Sequence, residues 1–194
     1  LAKLYPLFIV PFLTRFPGGR KGLWTAAIPI LLLAAGYALY AEPTGGAFES
    51  LLVYNASFEF NGALFTLVKW IARDGMASRV ICGFIFPLWA LVLYFRSRSL
   101  IETTLLLFLG FLLCSPTAHP WYFTWLAALL PLRWSLSVFV LLGLTNLSNI
   151  VVHQYRLTGL WEESAALVAV EYLPFFFLFS RELMMGEWGG ESRS

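Results

Sequence analysis

"SPTAHPWYFTW", residues 115–125, interrupts two runs of almost wholly apolar chain. Two prolines, a histidine, two tryptophans and a tyrosine stand where helix would otherwise continue. The depth of this turn decides the fold. A helix from Arg98 to Pro116 rises roughly 27 Å, close to the ~30 Å thickness of a bilayer's hydrocarbon core, whereas one from Pro120 to Arg133 rises only about 20 Å. The return arm is too short to start at the surface. The turn is therefore expected below one membrane face, where non-helical backbone survives only if protein or a water-filled cavity surrounds it.

Composition points the same way. Hydrophobic residues make up 59% of the 194 and charged residues 12%, against about 25% charged in a soluble domain. Such a chain cannot cover its own surface in water. The net charge of +2 gives no basis for binding nucleic acid. The apolar runs predict an all-α integral membrane protein, a polytopic helical bundle. Its hydrophobic segments, about seven, lie near 1–15, 23–41, 77–95, 99–115, 120–132, 134–152 and 165–180, with a broken, recessed helix pair around residues 115–122. The first segment reaches Arg15 too soon for a span of about 20 residues, and residue 1 is Leu. Residues 1–194 are accordingly read as the C-terminal transmembrane portion of a longer protein. Cys82 and Cys114 lie in apolar stretches without ligand spacing and read as inert thiols.

The basic residues set the orientation. The turns at 15–21 and 96–98, the joint at Arg133 and the tail from Arg181 hold eight of the thirteen Lys and Arg, which places them in the cytoplasm. The expected location is a cell membrane, plasma or bacterial inner, with several passes and a cytoplasmic C-terminus. Residues 42–76 form a long extracytoplasmic loop. After a turn at "EPTGGAF", Leu64, Leu67, Val68 and Ile71 recur at helical spacing with Trp70 beside them. That pattern describes an amphipathic helix, lying on the outer membrane surface or packed across the bundle top.

Few side chains offer chemistry. His119, Trp121 and Tyr122 in the recessed turn suit a sugar or phosphate site, through ring faces and an imidazole donor. An aromatic belt at the outer interface is the alternative. Asn61 either orients sugar hydroxyls or caps the amphipathic helix. Arg156 either meets a lipid phosphate, for which Arg is well shaped, or anchors the interface. Glu171 stands about 10 Å below the start of its segment. A charge at mid-span costs around 2.5–3.5 kcal/mol on insertion scales, so Glu171 should face the bundle, with His119, Tyr122 or Arg156 as donor. Snorkelling to a surface is its alternative. Glu102 is expected to form a surface pair with Arg98, one turn away. There is no Gly-rich phosphate loop and no Cys/His cluster, and Asp74 is the only Asp. Neither a metal centre nor a cofactor is expected.

Three strings carry a family likeness. "KLYPLFIVPFLTR", "FEFNGALF" and "SPTAHPWYFTWLAALLPL" resemble, in this order, landmarks of the GT-C superfamily of integral-membrane glycosyltransferases, in particular mannosyltransferase-like proteins using polyprenyl-phosphate sugars. The resemblance spans residues 3 to about 132. It implies transfer of a mannose-like hexose from a polyprenyl-phosphate donor to a glycan or lipid acceptor on the extracytoplasmic side, with donor, acceptor and bilayer as partners. It makes Glu59 and Asn61 the polar pair of the long loop. It also implies an acidic base in the family's first outer loop. None of Glu42, Glu49, Glu59, Asp74, Glu162 or Glu163 matches that acid, so it is expected upstream and the chain alone is expected to be inactive. Broken helices with intramembrane polar groups also mark transporters. A transporter or flippase subunit is therefore the alternative, as is a non-catalytic scaffold of a membrane complex.

Overall fold

A computed structural model describes residues 5–16, 19–40, 53, 58–96 and 99–188. It is all-helical, with no strand among the described residues. The "EPTGGAF" turn, Glu42, Glu49 and Arg98 lie outside them. The chain divides into two compact units, Leu1–Phe58 and Glu59–Ser194.

In the first unit a 3-10 turn, Tyr5–Ile9, runs into α1 (Val10–Arg15), which packs on α2 (Gly19–Tyr40). Pro11 sits in the first turn of α1, where its missing N–H costs nothing. The two helices approach closely at Gly22: a Cβ there would lie 2.7 Å from the Thr14 carbonyl oxygen. Phe12 and Ala26 are buried.

The second unit contains α3 (Ala63–Ala72), α4 (Gly75–Arg96) and α5 (Leu100–Cys114). A 3-10 turn, Pro120–Phe123, leads into the short α6 (Thr124–Leu129). Next come α7 (Leu136–Leu144), a 3-10 turn (Thr145–Ser148), α8 (Asn149–Thr158) and α9 (Ala165–Met184). Helix α5 is the centre, with α3, α4 and α6 against it, while α9 lies along α7. Leu105, Leu107, Leu109 and Leu112 of α5 are buried. The Trp89 indole donates to the Leu106 carbonyl at 3.0 Å. Its ring fills the space over Gly110, where a Cβ would come within 2.4 Å of it. Cys82 and Cys114 are free thiols packed with Phe65.

Each expected apolar segment is helical where described, with two changes. The 120–132 segment stops at Leu129, since Pro131 disfavours helix in the residue before it. The 134–152 segment runs on to Thr158 through its 3-10 turn. Among the described residues two helices, Gly75–Arg96 and Leu136–Thr158, are long and apolar enough to cross a membrane.

One end of this unit is closed by buried polar bonds that hydropathy did not signal. Glu182, near the end of α9, accepts from the Ser137 N–H at 2.9 Å and the Ser137 hydroxyl at 2.7 Å. It also accepts from Ser135 at 2.9 Å and the Trp188 indole at 3.1 Å. Ser135 caps α7 by accepting from the Val138 N–H, so Glu182 completes the first turn of a neighbouring helix. Glu102 was expected to form a surface pair with Arg98, which lies outside the described residues. It is buried and pairs with Arg133 at 3.5 Å. Its helix is heavily enclosed, and Arg133 reaches it from the turn after α6. The Arg133 guanidinium also lies over the Trp188 ring, 4.9 Å from its centre, and donates to the Glu187 carbonyl.

Glu182→Ala strands four donors in a buried site, and bonds to a charged acceptor contribute roughly 1.5–3 kcal/mol each at most, not additively. The expected loss of stability is about 3 kcal/mol, read from denaturant unfolding of the purified protein, with Glu182→Gln losing less.

Candidate functional site

The opposite end of the second unit is built around one peptide. Phe60 and Thr117 form a parallel bridge: the Phe60 N–H donates to the Pro116 carbonyl at 2.9 Å and the Ala118 N–H to the Phe60 carbonyl at 2.7 Å. The two interrupted stretches of the sequence, "FEFNGALF" and "SPTAHPWYF", are thus bonded to each other. Neither could satisfy its backbone alone at a buried site. Gly62 makes the approach possible, because a Cβ there would lie 2.6 Å from the Ser115 carbonyl oxygen.

Asn61 follows the bridge, fully buried, with a left-handed backbone (φ 53°). Asn tolerates that region better than most residues. The Asn61 N–H donates to Glu163 Oε1 at 2.6 Å, and its carbonyl accepts from the Tyr172 hydroxyl at 2.8 Å. Its side chain neighbours Glu171, which is also fully buried. The Ser148 backbone and the Glu163 carboxylate are the other polar groups around Glu171. The Asn61 amide and the Ser148 N–H point at the Glu171 carboxylate as weak donors, longer or more bent than the other bonds of the hub. Asn61 does not cap α3, whose N-cap is Gly62 without a side-chain bond. Burial raises the pKa of Glu163, the Asn61 N–H lowers it, and the nearby Glu59 raises it again.

The aromatic turn packs beside this hub. His119 is buried, its ring 4.7 Å from Phe60 and stacked on Trp121 at 4.2 Å. Burial lowers its pKa, favouring a neutral imidazole that can donate or accept. Tyr122 meets His119 edge-on at 5.6 Å. Trp121 turns outward and is exposed. From the irregular stretch after α8, Trp161 covers Phe60 at 5.1 Å and is itself met by Tyr155.

Several expected site residues fall elsewhere. Glu59 is tied to Lys69 at 2.5 Å and to Arg79 at 3.1 Å, bracing α3 against the start of α4. Arg156 and His153 are exposed on α8, and Arg156 joins none of the hub's bonds. Glu171 faces inward as expected. Its company is Asn61, Ser148 and Glu163, however, rather than His119, Tyr122 or Arg156. On α3 Ala63 and Phe65 are buried, Leu64 and Val68 partly so, while Leu67, Trp70 and Ile71 are exposed. Phe65 takes the inner position because the Cys82 and Cys114 pocket accepts a ring. Sequence reading missed Glu163 and Tyr172. Glu163 sits among loop acids, and a tyrosine within "EYLPFFF" looks like any aromatic of an apolar helix.

No family model, curated protein or solved structure matches the chain.

Two substitutions test the hub. Gly62→Ala should push the strands of the bridge apart and cost about 1–3 kcal/mol, with faster hydrogen exchange at the Phe60 and Ala118 amides. Tyr172→Phe removes one buried bond to the Asn61 carbonyl and should cost about 1 kcal/mol in the same unfolding measurement. Unchanged exchange at both amides in Gly62→Ala would show that the bridge does not depend on that close approach.

Proposed function

We propose that this chain is part of a multi-pass membrane glycosyltransferase of GT-C type, which moves a mannose-like hexose from a polyprenyl-phosphate donor to a glycan or lipid acceptor on the extracytoplasmic side of a plasma or bacterial inner membrane. The observation that carries the reading is the Phe60–Thr117 bridge. It joins two of the three strings on which the resemblance rests and gathers Asn61, His119 and Glu171 at one end of the bundle.

The distribution of apolar surface supports a bilayer around the second unit. Phe84, Leu88 and Phe95 of α4 and Leu173 and Phe177 of α9 are exposed. In water they would form patches a soluble protein rarely shows. The 20 residues of α9 rise about 30 Å, matching the hydrocarbon core, and Glu163 and Glu182 lie at its two ends. The Arg133 and Glu182 end is then cytoplasmic, with the C-terminus, in agreement with the charge rule. The hub end is extracytoplasmic, where Leu67, Trp70 and Ile71 of α3 can rest in the interface.

In this reading His119 donates a hydrogen bond to the leaving lipid phosphate as negative charge develops on it. Trp121 and Tyr122 offer ring faces to the sugar or the lipid chain. Asn61 and Glu171 supply the polar wall, and Glu59 holds α3 in place. Arg156, exposed on the last turn of α8, is a peripheral contact for a lipid phosphate.

Native membranes enriched in the protein should transfer label from a radiolabelled polyprenyl-phosphate hexose to lipid or glycan acceptors. His119→Ala should slow transfer about 10²–10³-fold, the usual cost of one lost donor to a developing oxyanion. No transfer above membranes lacking the protein, or an undiminished rate in His119→Ala, would count against the reading.

A further inference from the structure

Helix α3 carries a polar stripe that neither the core nor the hub uses. Thr66, Lys69, Trp70 and Arg73 recur at three and four residues and so share one face. With Ile71 they line an open hollow of about 610 Å3. Trp70 is 78% exposed, and Leu67 and Ile71 beside the stripe are exposed as well. Met76 and Val80, in the first turns of α4, are exposed too.

Positive charge is in surplus at this corner. Glu59 takes both Lys69 and Arg79, two cations on one carboxylate. The Asp74 carboxylate is turned to the start of α4, where it accepts from the Ala77 N–H at 2.6 Å. Among the described residues no acid pairs with Arg73, which is exposed at the end of α3. Arg73 also holds a left-handed backbone, φ 55° and ψ 21°, while its N–H donates to the Lys69 carbonyl at 2.8 Å. That conformation strains an L residue and suits glycine at the end of a helix. Strain of this kind persists where the residue contributes something else.

We propose that this corner binds the headgroup of an anionic phospholipid of the surrounding bilayer, with Arg73 on its phosphate, Lys69 beside it, and Trp70 and Ile71 against the upper part of its acyl chains. The arginine fork suits phosphate oxygens, and indole rings settle where headgroups meet chains. Two cations, an indole and aliphatic side chains on adjacent turns match that passage from water to hydrocarbon. A soluble anion would leave the exposed ring and the leucine and isoleucine beside it in water, whereas a phospholipid covers them. The proposal rests on the reading that a bilayer surrounds the second unit, and it is independent of sugar transfer.

Native mass spectrometry of the purified chain in detergent, titrated with phosphatidylglycerol or phosphatidylcholine, reads both the lipid retained and the oligomeric state. The wild-type chain should retain one phosphatidylglycerol with a preference of at least roughly fivefold, the order of the attraction between one surface cation and anionic lipid. Arg73→Gly should abolish the preference, yet melt without lipid at the wild-type temperature or above it, because glycine fits the left-handed position. Arg73→Gln, which keeps the strain and loses the charge, should lose the preference too. Arg96→Gln, at the far end of α4, should keep it, and inorganic phosphate at the same concentration should not displace the lipid. Equal retention of both lipids overturns the proposal and leaves the bilayer reading standing, whereas retention of neither overturns both. A preference that survives both Arg73 variants, with a lowered melting temperature, makes the arginine a partner of the helix dipole and overturns the proposal. An equal loss in Arg96→Gln or displacement by phosphate also overturns it. So does a dimer that Arg73→Gly dissociates, which would give the surface to a second copy of the chain.

Discussion

The second unit depends on one constraint: backbone that leaves helical geometry in an apolar setting must be bonded to something. Two stretches do so, at 59–62 and 115–119, and they meet this requirement together through the Phe60–Thr117 bridge. The rest of that end is arranged to permit it. Gly62 leaves room for the Ser115 carbonyl, Asn61 accepts the left-handed turn that follows, and Glu163 and Tyr172 take up the two backbone groups of Asn61. His119 lies beside Phe60 because the bridge sets it there.

The two ends of the bundle handle buried acids in opposite ways. Glu182 is surrounded by donors, from two serines, an amide and an indole. Its role is to hold α7 and α9 together. Glu171, also buried, has the Asn61 amide, the Ser148 backbone and a second acid for company. A fully bonded carboxylate rigidifies, and an incompletely bonded one signals a further occupant or a proton. This asymmetry, more than the aromatic turn, distinguishes the two ends of the unit.

Much of the helical plan was legible in the sequence, because apolar runs bounded by charge and proline leave few other solutions. The inward aspect of Glu171 was legible for the same reason, a charge in an apolar helix having few tolerable directions. Its company was not, since hydropathy gives depth and no angle around the bundle. That is why His119, Tyr122 and Arg156 were expected where Asn61 and Ser148 stand. On α3 the periodicity marked Leu64, Leu67, Val68 and Ile71 and gave no sign that Phe65 would be the buried ring, because its pocket is formed by Cys82 and Cys114 from other helices. Glu163, one acid among several in a polar loop, carried no signal until the fold brought it to the Asn61 N–H. The family likeness joined "FEFNGALF" to "SPTAHPWYF" only by their order along the chain.

The bridge runs parallel, and parallel pairing cannot be made by a local hairpin: the chain must travel out and return before the two strands can meet in the same direction. Here the excursion consists of α3, α4 and α5. The Phe60 and Ala118 bonds therefore depend on three intervening helices, and they form only if those helices stand in the correct register. Out of register, Asn61 would lose the bonds that fix its backbone and His119 its place beside Phe60. The hub is in effect an assembly checkpoint, since an ill-packed bundle cannot form it.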